Sequence, residues 1–269
     1  MLSKVERGAA PFWLWPNLLS LDAPLVAVVW QGFIAYCYSV PLHPAGRIAL
    51  GLTVWCIYLA DRLLDARQPA TPEEPARHLY YRRHRKLMLA VLCLAGAADI
   101  IATVLWLRPP LLREGIIALA GVLIYLAAWH SPGGRARIPK ELAVALLFTA
   151  GTFLISWTPG AASMLIWPAL TFFFLCLANL VAIEAWEWHE LPRPSKPHLW
   201  TRWLARTYLV WVPALGILCL FGGRTQWYQS VALSAVASAV LFGTRGRLSL
   251  DLRRVLVDGV LLSPLLFLR

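Results

Sequence analysis

Of the fourteen acidic residues in the chain, five fall into two groups whose spacing could do chemistry. Asp61 and Asp65 lie four apart in YLADRLLDAR, and Glu184, Glu187 and Glu190 lie three apart in NLVAIEAWEWHE. On a helix, spacings of three and four put side chains on one face. Like charges so placed destabilise an isolated helix, so something must offset them. Neighbouring arginines such as Arg62 and Arg67 are one option, which would make these groups ordinary paired helix ends. A divalent cation is the other. Mg²⁺ takes oxygen ligands from one or two carboxylates together with substrate phosphates. Two acidic helix ends facing each other across a cavity would suit a Mg²⁺–diphosphate complex.

The elements that must carry these groups are apolar. The 269 residues are 59% hydrophobic and 14% charged, with a mean hydropathy of +0.62. Soluble domains carry about 25% charged residues. Apolar runs of the length a helix needs to cross a bilayer fall at roughly 18–40, 45–64, 87–107, 114–130, 140–157, 163–184, 204–221, 227–243 and 253–268. The runs are continuous rather than alternating, which favours helices over a barrel. One transmembrane domain over 1–269 is expected, with no soluble domain left over. The first run has no cleavage pattern after a short apolar stretch and reads as a retained span.

With the N-terminus inside, 20 of the 25 basic residues fall on the inner side, which satisfies the positive-inside rule and an odd number of spans. The net charge of +11 sits in short loops between spans, so nucleic-acid binding is not expected. The five cysteines all lie within spans and make no C-x-x-C pair, which points to neither a disulfide framework nor a thiolate metal site. Two long inner loops, 66–86 and 191–203, are placed over the acidic groups. RHLYYRRHRK in the first reads either as a lid or as a basic patch for lipid headgroups. Many of the fourteen tryptophans, Trp13, Trp15 and Trp200 among them, fall at predicted interfaces. Trp186 and Trp188 either anchor there or face a cation. His189 and Asn179 are weaker candidates, as a metal ligand and as a cavity-lining residue.

This arrangement resembles the UbiA superfamily of intramembrane prenyltransferases. IYLADRLLD, residues 57–65, occupies the position of that family's first Asp-rich motif, with Asp61 and Asp65 matching its last two aspartates. EAWEWHE, residues 184–190, occupies the second, with glutamates for aspartates. SPGGRARIPKE stands where a basic loop precedes the fifth helix. The family's leading Asn-Asp pair is Ile57-Tyr58 here.

The resemblance implies an all-α fold with nine transmembrane helices around a central cavity, in a bacterial-type cytoplasmic membrane. It implies Mg²⁺-dependent transfer of a prenyl group from an isoprenyl diphosphate to a lipophilic or aromatic acceptor. Asp61, Asp65, Glu184 and Glu187 would be catalytic and, with Glu190, would hold the metal. Arg62, Lys140, Arg82 and Arg83 would bind the diphosphate. The divergent motifs leave an alternative: a catalytically degenerate member that binds an isoprenoid or quinone or assists complex assembly.

Overall fold

The computed structural model describes residues 10–67, 76–107, 109–131, 139–157, 160–191, 197–223, 225–244 and 246–268. Their regular structure is all helical, with no strand among the described residues. A 3₁₀ turn at Phe12–Leu14 leads into α1 (Trp15–Leu18), α2 (Asp22–Tyr38), α3 (Pro44–Asp65) and α4 (Ala76–Arg83). Then follow α5 (Arg85–Trp106), α6 (Pro109–His130), α7 (Lys140–Phe153) and α8 (Ala162–Glu190). The last are α9 (Leu199–Arg206), α10 (Tyr208–Gly222), α11 (Gln226–Gly243) and α12 (Leu250–Val260). Each of the nine apolar segments contains a helix.

Not every one of these helices is a span by its own length and apolarity. Arg85–Trp106, Pro109–His130 and Ala162–Glu190 are long and apolar enough to cross a membrane. Counting each of two sharply bent pairs as one span raises the number to five. These long apolar helices mark a membrane protein. The rest fall short of nine for visible reasons. A crossing needs about 20 residues, whereas α2 has 17, α7 14, α10 15 and α12 11. α3 has 22 residues but carries Arg47 near its start and Asp61, Arg62 and Asp65 at its end.

The apolar core gathers where α2, α8 and α11 meet. Trp30, Phe33, Phe172 and Trp227 are fully buried there. The Trp30 ring lies 4.8 Å from Phe172 and 4.9 Å from Trp227, at tilted and edge-on angles that suit aromatic quadrupoles. Trp30 Nε1 donates to the Leu261 carbonyl at 2.7 Å, which satisfies its buried donor and ties α2 to the end of α12. α5 packs on α3, and α7 packs on α8. α5 and α6 keep most of their apolar side chains on the outside, as lipid-facing helices do.

α4 is what places the charged residues. Its Tyr81 is fully buried and shares a 2.9 Å hydrogen bond with Ser20, a residue with positive φ. Trp15 meets Tyr80 edge-on at 6.1 Å. α4 is thereby pinned against α1 and across the end of α3.

Candidate functional site at one end of the bundle

The last turns of α3, α6 and α8 and the first turns of α7 and α12 converge at one end of the molecule, with α4 lying over them. Asp61 and Asp65 share a face of α3, as their spacing requires. Asp61 Oδ2 is 3.8 Å from Lys140 Nζ, at the first residue of α7. Asp61 Oδ1 is buried with no hydrogen-bond partner among the described residues. Asp65 Oδ1 is 3.7 Å from His130 Nε2 at the end of α6. The other ring nitrogen, Nδ1, lies 3.0 Å from the Leu126 carbonyl and must donate to it, so Nε2 is the nitrogen turned to Asp65.

The second acidic group is held differently. Glu187 is buried and accepts from Arg77 Nη2 of α4 at 2.9 Å and from Arg254 Nη2 of α12. Arg254 also donates to Asp251 at 3.2 Å. Glu190 accepts from Arg253, whose guanidinium lies 5.1 Å over the Trp186 ring. Arg253 and Arg254 are fully enclosed. Charges buried to that degree are costly unless paired, and Glu187 and Glu190 supply the pairs. Arginines therefore engage the two residues for which the sequence points to a cation. Trp186 and Trp188 do face cations, but these are Arg253 and Arg202, the latter at 5.4 Å.

The two acidic groups communicate through bases. α3 and α8 do not pack along each other; α2 packs on α3 and on α7, and α7 packs on α8. Arg77 bonds to Glu187 while lying in the field of Asp65 and Arg62. Glu141, next to Lys140, lies in the field of Glu184 and accepts from Thr201 Oγ1 at 2.5 Å. Arg62 is flanked electrostatically by Asp61, Asp22 and Asp65, yet its Nε is buried without a hydrogen-bond partner among the described residues. His78 Nε2 and the Tyr125 hydroxyl are also buried with no partner among the described residues, in the same neighbourhood.

Of the remaining sequence candidates, Arg82 is half-buried on α4 and Arg83 is exposed beside it. Glu184 and His189 sit on the last turns of α8, where His189 lies against the Trp188 ring at 4.8 Å. Much of SPGGRARIPKE and of the two long loops (68–75, 132–138 and 192–196) lies outside the described residues. The lid candidate RHLYYRRHRK forms α4 and the start of α5.

Sequence spacing misses a second acidic pair. Asp22, at the first turn of α2, accepts from Asn17 Nδ2 at 2.8 Å. Asp258 of α12 accepts from Asn179 Nδ2 at 3.0 Å and adjoins Asp22. Neither acid belongs to an i, i+4 group. Asp258 did carry a signal, as a lone carboxyl inside an apolar run.

The donor set fits Mg²⁺ in part. Asp61 and Asp65 are hard oxygen donors, one with an orphaned buried oxygen, and Mg²⁺ needs only one or two carboxylates when phosphates complete its shell. No group of three His, Cys, Asp or Glu side chains able to hold a metal occurs among the described residues. Glu187 and Glu190, already engaged by guanidinium groups, do not fit. No family model, curated protein or solved structure matches the chain.

Proposed function

We propose that the chain binds an isoprenyl diphosphate at this end of the bundle and transfers its prenyl group to a lipophilic or aromatic acceptor within the membrane. The observation that carries this reading is a set of buried polar atoms with no hydrogen-bond partner among the described residues: Asp61 Oδ1, Arg62 Nε, His78 Nε2 and the Tyr125 hydroxyl. Buried polar groups are nearly always satisfied. These four combine a carboxylate oxygen with donors, and Lys140 stands beside them. Such a mixture suits a diphosphate carried with a divalent cation.

In this reading Asp61 and Asp65 would hold Mg²⁺, which would supply charge neutralisation for the diphosphate and its pyrophosphate leaving group. Arg62 and Lys140 direct positive charge at the same oxygens, which helps most as the carbon–oxygen bond breaks and the leaving group gains charge. The allylic cation left behind is captured by the acceptor, which then gives up a proton. α4 lies over the charged end and keeps bulk water away. Arg77 and Arg254 hold Glu187 in place, giving it a positioning role.

The finer architecture belongs to the same proposal: nine crossings, with the N-terminus and the charged end on the cytoplasmic side. A second reading is favoured by one observation. With Glu187 and Glu190 neutralised by arginines, fewer carboxylates remain than two full acidic motifs would supply. A degenerate protein that binds an isoprenoid or quinone without turnover needs no more. Incubating purified protein with Mg²⁺ and a panel of prenyl diphosphates tests the choice. Pyrophosphate release supports transfer, and binding without release supports the second reading.

A further inference from the structure

α9 has two faces. Thr201, Leu204 and Ala205, with Tyr208 just beyond, recur at the spacing of one helical face and turn inward. Thr201 is buried on Glu141, and Leu204 and Ala205 pack against the core. The opposite face carries Leu199, Trp200 and Trp203, 73%, 58% and 57% exposed, followed by exposed Arg206. A helix with that outer face would be expected to cover it.

Orientation decides what covers it. α9 meets α10 at 71°, nearly a right angle. α10 turns Leu209, Val210, Leu218 and Phe221 outward, an apolar face that suits lipid tails. If α10 is one of the crossings of the proposed nine-span architecture, on which this inference rests, α9 lies close to the membrane plane, and its outer face continues the lipid-covered surface of α10 at headgroup depth. Indole rings favour that depth. Arg206 and, on the flank, Arg202 supply the charge that anionic headgroups attract. A second segment at the same end repeats the design. Phe12–Leu18 bends 84° from α2, packs on α4 and exposes Phe12 and Trp15.

We propose that α9 is an in-plane helix seated in the headgroup layer of an anionic phospholipid leaflet, with Trp200 and Trp203 as its anchors. Thr201, bonded to Glu141 on its inner face, fixes it to the start of α7.

The test uses the whole protein in lipid nanodiscs containing brominated phospholipids, with bromines placed either near the headgroup or near the chain ends. Tryptophan quenching is compared between the parent and Trp200→Phe/Trp203→Phe, with each single replacement measured beside it and thermal melting used to match folded samples. The seated helix predicts that the parent loses more fluorescence than the double variant with shallow bromines, that the excess vanishes with deep ones, and that each single variant loses part of it. It also predicts that Arg202→Gln/Arg206→Gln reduces the shallow quenching in anionic discs more than in zwitterionic ones. Equal quenching of parent and double variant at both depths would overturn the proposal. So would an excess that appears only with a water-borne quencher, which would mean the face meets water or a protein partner.

Discussion

Arg77 Nη2 donates to Glu187 Oε1 at 2.9 Å, joining a short helix over the end of α3 to the last turn of α8. Both side chains are buried, and the same carboxylate oxygen also takes Arg254. One glutamate therefore engages two interior guanidiniums, Arg254 being shared with Asp251, and this knot holds α4, α8 and α12 together at the charged end.

Removing that glutamate should cost more than removing either arginine. Glu187→Gln breaks two buried ion pairs at once, taking the carboxylate from Arg77 and leaving Arg254 its bond to Asp251, and breaking a buried pair costs about 3–5 kcal/mol. Arg77→Gln leaves Glu187 its bond to Arg254. Thermal melting in detergent should rank the parent highest, Arg77→Gln next and Glu187→Gln lowest. Inverting the two variants contradicts the shared-carboxylate account.

Thr201 and Glu141 offer a smaller version of the same test. Thr201→Val keeps the shape but deprives a buried carboxyl of its hydroxyl donor. Leaving one buried group unsatisfied costs about 1–3 kcal/mol. Thr201→Ser should recover most of the loss. If Ser melts as low as Val, the methyl and not the hydroxyl is what matters.

His78, on α4 and outside the crossing helices, supplies a pH dependence. Burial, with the Arg77 and Arg62 charges behind it, pushes its imidazole down from 6.5 to about 3. The folded value lies below that of the unfolded chain, so as pH falls the unfolded chain takes up the proton first. Stability is therefore lost between about pH 6.5 and about pH 3. Replacing His78 with Phe removes that contribution, so the variant's melting temperature should fall less steeply than the parent's over this window. Parallel curves would refute it.

Lys140 tests the basic side of the site. It reaches Asp61 at 3.8 Å and lies 5.3 Å over the Trp129 ring, with part of its side chain exposed. Lys140→Met should weaken diphosphate binding about tenfold, roughly 1.4 kcal/mol, while barely moving the melting temperature, since such partly exposed pairs are worth about 0–1 kcal/mol. Unchanged affinity would remove Lys140 from the site.

What the sequence reveals of this molecule is its local part. Helical spacing brings Asp61 to Asp65 and Glu184 to Glu187, and continuous apolar runs locate the helices. Partner choice is not local. Nothing in EAWEWHE says that Arg254, 67 positions on, will take Glu187, or that Arg77 will reach it from 110 positions before. The bend after Thr207 is hidden for a related reason. LWTRWLAR straddles the loop read over 191–203 and the start of the run at 204, and nothing local says that it forms its own helix, bent 71° from the next and tied by Thr201 to Glu141. Asp22 and Asp258 escape because neither has a second carboxyl three or four positions away, and their proximity exists only after α2 and α12 pack.

The central claim is that Asp61 and Asp65 bind a Mg²⁺–diphosphate. Isothermal titration of an isoprenyl diphosphate into the parent, Asp61→Asn and Asp65→Asn, each with Mg²⁺ and with EDTA, tests it most directly. Each substitution keeps the side chain's shape and removes an anionic ligand. The account predicts Mg²⁺-dependent binding by the parent, abolished by EDTA and by either substitution, while both variants still melt cooperatively. Diphosphate affinity that is the same in all three proteins and indifferent to EDTA would contradict it, leaving the aspartates a role in ion pairing within the protein, as with Lys140 and His130.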